Sequence, residues 1–159
     1  MFEFLRPKPP QAPAVNPQVL ERNFPLDRLP SLAQIYQREQ SAHPEAEPIN
    51  LPLPSGDFLE LHGRNTVEPE RLVRALDRLG ALDNQVQQFC REAYTSACAR
   101  LSAKIPIRLM DYVVLLSWAE FQEDGEFLLA YWGEYVNIEL RALFAWENGD
   151  WQMREAFYA

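Results

Sequence analysis

YVVLLSWAEFQEDGEFLLAYWGEYVNIELRALFAWENGDWQMREAFYA, residues 112–159, is the stretch on which the fold turns. Its apolar runs are rich in aromatic and branched residues, and they are punctuated by Asp124-Gly125 and Asn148-Gly149, dipeptides that favour tight hairpins. This pattern predicts a four-stranded antiparallel meander. A two-residue type I′ turn at Asn148-Gly149 would pair Trp146 with Trp151, Phe144 with Met153, Ala142 with Glu155 and Leu140 with Phe157, all on one face. Glu139, Arg141, Leu143, Ala145, Asp150, Gln152, Arg154, Ala156 and Tyr158 would then share the other, wetter face.

Upstream of the strands, Glu68-Pro69-Glu70 opens a helix, with proline suited to the first turn and acidic groups suited to the positive end of the dipole. Leu72, Val73, Leu76 and Leu79 form its apolar stripe, and Gly80 is expected to end it. Asp83 is then expected to cap a longer helix to about Ala103, with Val86, Phe89, Cys90, Ala93, Tyr94, Ala97 and Leu101 on one face. Pro106 marks its exit, and Arg108 to Asp111 lead to the sheet.

Eleven of the thirteen prolines fall between Pro7 and Pro54, which excludes long helices and central strands there. Residues 1–54 are therefore expected to be a Pro-rich extended arm, with 1–16 disordered. Leu20, Phe24, Leu26, Leu29, Leu32, Ile35 and Tyr36 are too apolar for a free linker, so the arm should wrap on the domain, with a short helix from Pro30-Ser31 to about Gln40. Residues 42–47 are expected as an exposed loop, and from Ile49 to Arg64 the alternation at Phe58, Glu60, Leu61 and His62 suggests a strand leading into Asn65-Thr66. The fold class implied is α+β: residues 55–159 form a single domain, with two helices packed on one face of the four-stranded meander.

The chain has 159 residues, enough for one substantial core, and its 47% hydrophobic and 24% charged residues are ordinary globular composition. Apolar runs such as Phe127 to Trp132 are far too short to span a bilayer, and residues 1–8 lack an apolar signal core, so a cytoplasmic protein is expected. Cys90 and Cys98 lie two helical turns apart, about 12 Å and beyond disulfide reach, as suits buried thiols in a reducing compartment.

The charge is uneven. Residues 1–104 carry 13 acidic and 12 basic side chains, a difference of −1, whereas residues 105–159 carry 10 and 3, a difference of −7. Such a sheet repels nucleic acid and anionic lipid and steers a basic protein toward it.

No catalytic motif accompanies the sheet. The only histidines are His43, before a proline in a loop, and His62, at a strand end, neither placed beside a nucleophile. Glu120, Glu123, Asp124 and Glu126 lack the ligand spacing of a calcium loop and read as a solvated hairpin tip, so neither metal nor cofactor is expected. A two-residue turn at Asp124-Gly125 would set Glu123 opposite Glu126, a like-charge pair that is either screened or kept for a cationic partner. Around Gly133, Trp132, Glu134 and Tyr135 have the composition of an interface anchor. Glu120, Glu123, Asp124, Glu126, Trp132, Glu134, Tyr135 and Glu139 are thus the candidate partner-binding residues.

The run Phe127 to Gly133, then Val136-Asn137, Glu139-Leu140, Phe144 and Asn148-Gly149-Asp150-Trp151, resembles small cytoplasmic bacterial proteins of uncharacterised domain families, several of which are immunity proteins found beside polymorphic or secreted toxins. The resemblance covers the last third of the chain. It implies a non-enzymatic antitoxin that occludes a cognate toxin, with a basic domain such as a nuclease as partner. Two other readings stay open: a cone-shaped α+β enzyme or ligand carrier with a pocket lined by Trp118, Tyr131, Trp132, Phe144 and Trp146, and a secretion chaperone or adaptor acting through the arm.

Overall fold

In the computed structural model, which describes residues 32–53, 56–100, 114–133 and 139–158, the elements run α1 (Leu32–Ala42), β1 (Ile49–Pro52), β2 (Phe58–His62), α2 (Pro69–Asp77), α3 (Leu79–Arg100), β3 (Val114–Phe121), β4 (Phe127–Gly133), β5 (Glu139–Glu147) and β6 (Asp150–Tyr158). The strands form one six-stranded sheet in the order β1-β2-β3-β4-β5-β6. Every neighbouring pair is antiparallel except β2 and β3, which run parallel. A parallel pair needs a long crossover, and α2 and α3 lie within it.

The architecture is α+β, but a four-stranded meander with two helices and an arm is not what forms: the sheet is mixed and six-stranded, with three helices among the described residues. Residues 32–53, expected to belong to the arm, contribute α1 and β1. α1 forms because Leu32, Ala33, Ile35 and Tyr36 line one face at helical spacing and are buried. β1 tolerates proline because it is an edge strand and Pro52 is its last residue. Its Ile49 and Leu51 are buried opposite Leu61 and Leu59. The expected disordered segment 1–16, the helix exit at Pro106 and the lead-in at Arg108 to Asp111 lie outside the described residues.

α2 begins with proline in its first turn, as its sequence implies. Gly80 does not end a helix, and Asp83 does not cap one. α2 stops at Asp77, and α3 starts at once with Leu79, so Gly80 falls in its first turn and Asp83 is buried inside it. Leu79 and Leu82 are fully buried, and their burial decides where the helix begins.

Asn148 and Gly149 both take positive φ, 52° and 78°, as a type I′ turn requires. Trp146 pairs with Trp151 and Phe144 with Met153, but a bulge then leaves Arg154 without an opposite residue. Beyond it Ala142 faces Ala156 and Leu140 faces Tyr158, one residue away from strict alternation. The bulge turns Glu155 to the outer side and lets Ala156 pack against the core, so a carboxylate is not driven into it.

The core lies between the helices and one sheet face. Phe121 stacks on Phe127 at 4.6 Å between ring centres, and Trp151 packs 5.5 Å from Phe127 and 5.3 Å from Trp146. The buried Trp151 indole N–H donates to the Arg71 carbonyl of α2 at 3.0 Å, so the helix satisfies the polar end of the largest core side chain. Arg74 and Arg78 both donate to Asp150, tying α2 to the β5–β6 turn.

The junction of β2 with β3 is locked at Gly63. Its N–H donates to Glu47 at 2.8 Å, and Thr66 Oγ1 donates to the Gly63 carbonyl at 2.7 Å and the Phe121 carbonyl at 3.0 Å. Gly63 has φ +68°, and a Cβ there would sit 2.0 Å from the Phe121 carbonyl oxygen. Gly149, at φ +78°, would meet nothing within 4 Å. Gly63→Ala should therefore cost about 2–4 kcal/mol, combining backbone strain with steric displacement, and Gly149→Ala about 1 kcal/mol from strain alone. Urea denaturation of both variants checks this ranking, and equal losses would refute the Gly63 lock.

Candidate functional site

Strand alternation places half of each strand away from the helices, and in this sheet that outer half is not simply polar. One cross-strand row reads Glu60, Trp118, Ala130, Arg141, Phe157. The next reads His62, Glu120, Leu128, Leu143, Glu155, and a third reads Leu115, Trp132, Glu139. Leu128 and Ala130 are buried here, yet they stand apart from the helix-covered core cluster.

Ala130 is the hinge of the arrangement. Because it is small and lies between Trp118 and Arg141, the guanidinium reaches across it to within 5.9 Å of the Trp118 ring centre. Arg141 is held in that pose by Glu139, whose Oε1 accepts from Nε at 3.0 Å and Nη2 at 2.9 Å. On the far side of Trp118, the His62 ring meets the indole edge-on at 5.8 Å, and His62 Nε2 lies 3.3 Å from Glu60. A chain of contacts, Glu60 to His62 to Trp118 to Arg141 to Glu139, thus spans the outer surface from β2 to β5.

The candidate residues divide between two places. Glu120, Trp132 and Glu139 lie on this face. Glu123 and Asp124 are exposed at the β3–β4 tip, with Glu126 half-buried beside them. Trp132 stands at the other end of β4 from the tip, about 20 Å away at strand rise. Glu134 and Tyr135 lie outside the described residues. Glu123 does not face Glu126: Gln122 N–H donates to the Glu126 carbonyl at 2.9 Å, and Gly125 N–H to the Gln122 carbonyl at 3.0 Å. That three-residue connection, with Gly125 at φ 88°, removes the like-charge pair. Trp118, Arg141, His62 and Phe157 complete the face and were not expected to act together. The antiparallel β3–β4–β5–β6 register aligns Trp118, Arg141 and Phe157, and the parallel β2–β3 pairing adds His62.

The five residues proposed to line a pocket do not converge. Tyr131, Phe144 and Trp146 pack on the helix side, while Trp118 and Trp132 project from the opposite face. His43 is exposed in the turn after α1. Among the described residues no group of three or more His, Cys, Asp or Glu is placed to hold a metal, and no helix is long and apolar enough to cross a membrane.

The core contains one polar constellation. Asp83, Gln87 and Arg91 recur at one-turn spacing on α3 and are buried. Gln87 Nε2 donates to the Val114 carbonyl at 2.6 Å, and Val114 N–H donates to Gln87 Oε1 at 3.3 Å, so one amide pins α3 to the start of β3. Burial pushes the Cys90 thiol up to about 12, Asp83 adds to the shift and Arg91 partly offsets it. Burial, then the Asp83 charge, raises Tyr131 well above its ordinary value. These groups are held neutral, the opposite of an activated nucleophile.

The chain matches no family model, and no curated protein or solved structure matches it.

In the unfolded chain the Cys90 thiol ionises near 9.0, whereas the folded protein retains the proton to about 12. Stability from this group is therefore complete below pH 9 and falls as pH rises toward 12, and Tyr131 extends the loss in the same direction. Denaturation midpoints measured from pH 8 upward should decline, with a shallower slope for Cys90→Ala. An unchanged slope would place the alkaline loss elsewhere.

Proposed function

We propose that this protein is a non-enzymatic binding module that docks a basic protein on the outer face of its sheet, and that the partner is a toxin neutralised by occlusion. The observation that carries the reading is the pre-organised Trp118–Arg141–Glu139 cluster on a face without a described helix. Trp and Arg are the residue types that dominate interface energies, and fixing their rotamers before contact lowers the entropy cost of binding. Trp132 and Phe157 add exposed aromatic area, 45% and 39% accessible. The carboxylates of Glu120 and Glu155 on the same face, with the tip beside it, attract a cationic surface.

The toxin assignment is the narrower part of the proposal and draws on the resemblance of the last third of the chain to immunity proteins. A basic nuclease domain would present the charge this face favours. The separation of the aromatic residues onto two faces favours this reading over a ligand pocket.

Co-expression with the product of an adjacent toxin gene should restore growth, and the purified pair should bind. Reversing Glu123, Asp124 and Glu126 to lysine should slow association and flatten its salt dependence. Trp118→Ala should instead raise the dissociation rate about 30-fold, the scale of an anchor residue. Association kinetics separate the two effects, and a partner that binds both variants like the parent protein would remove the outer face from the interface.

A further inference from the structure

We propose that Trp132 and Glu139 form the receiving site for an arginine side chain of the docked protein, an assignment that rests on the outer-face docking proposed above. The surface already contains the complete arrangement once, from its own residues. Arg141 lies over Trp118, and Glu139 fixes it through Oε1. The same carboxylate stands directly across the β4–β5 ladder from a second indole, Trp132.

Among the described residues the second arrangement has the ring and the carboxylate but no cation on the ring. Both Arg141 bonds end on Oε1 of Glu139, and Oε2 makes no hydrogen bond among the described residues. Trp132 is 45% exposed, with no stacking ring or cation over it among those residues. Directly opposed side chains have Cβ atoms about 5 Å apart, so a guanidinium laid on the Trp132 ring comes within reach of Oε2. It would make the same two interactions that Arg141 makes: contact with an indole face and charge-assisted hydrogen bonding to carboxylate.

Arginine fits better than lysine because its planar group stacks on the ring while its N–H fork stays directed at the carboxylate. Trp118 cannot serve, since Arg141 covers it and would repel a second cation. An acidic side chain at Trp132 would face Glu139 across the strand pair, so the site also discriminates against partners of the wrong sign. Exposed cation–π contacts are modest, and closure of a protein around the site would remove water and strengthen it.

The test uses the full chain uniformly labelled with nitrogen-15, and octa-arginine or octa-lysine as probe, at about 0.15 M salt, where loose long-range attraction is screened. Octa-arginine should shift the Trp132 indole resonance first, and should bind more tightly than octa-lysine. Trp132→Leu should weaken octa-arginine about tenfold, Trp132→Phe less, and neutralising Glu123, Asp124 and Glu126 should change affinity under about threefold. Shifts centred on Trp118 or the tip, with Trp132→Leu binding like the parent, would overturn the Trp132 assignment while leaving outer-face docking standing. Shifts on the helices, or none at all, would overturn both.

Discussion

The parallel pairing of β2 with β3 is the constraint on which the molecule depends. It sets Glu60 beside Trp118, Leu61 beside Ala119 and His62 beside Glu120, joining an N-terminal hairpin to a C-terminal meander across a helical crossover. Without it, Leu59 and Leu61 would have no place in the core. His62 would have no indole to pack against, and the outer face would lose one wall. Close approach of the backbones at Gly63 and Phe121 makes the joint tolerant of no side chain at that position, and Thr66 ties the two carbonyls together from above. Structure and the His62 end of the candidate site therefore share one point of failure.

α3 solves a second problem, that of seating a long helix on strands distant in sequence. Apolar contacts alone permit sliding along a sheet, because one methyl group substitutes for another at similar volume. The buried Asp83, Gln87 and Arg91 do not permit it: moving the helix by one turn would break the paired bonds between Gln87 and Val114, and an unmade buried hydrogen bond costs about 1–3 kcal/mol. The row thus specifies register. It also accounts for the raised Cys90 and Tyr131, which share its low-dielectric surroundings and the Asp83 charge.

Local features of the sequence were legible and non-local ones were not. The Asn148-Gly149 turn and the first pairs beside it follow from neighbouring residues alone, and so does the proline-led start of α2. β1 is obscured in the sequence because the prolines from Pro7 to Pro54 argue against central strands, although an edge position accepts a terminal proline. The bulge at Arg154 did have a signal, since unbroken alternation would have turned Glu155 toward the core. Gly80 and Asp83 misled because strong local punctuation yielded to the burial of Leu79 and Leu82. In the candidate site, Glu120, Trp132 and Glu139 stood out by charge and aromatic character, although Glu120 read as part of the hairpin tip and Trp132 as part of the turn after β4. Trp118, Arg141 and His62 could be joined only by the cross-strand register.

That register also bears on what kind of ligand the aromatics can serve. A pleated strand sends neighbouring residues to opposite faces, so Tyr131 and Trp132 cannot line the same cavity however rich in aromatics β4 becomes. Sites for small molecules enclose most of the ligand's surface, which takes concave walls on several sides. The outer face instead offers rows of side chains standing on one sheet, with Trp118, Trp132 and Phe157 distributed over them and carboxylates between. Such a surface gains by meeting another broad surface, where many modest contacts add and a few aromatic anchors dominate. Its exposed rings invite self-association, and the −7 charge of the last 55 residues opposes that by repulsion between copies. Under the proposed docking, the charge that opposes contact between copies of this chain would also favour a partner of opposite sign.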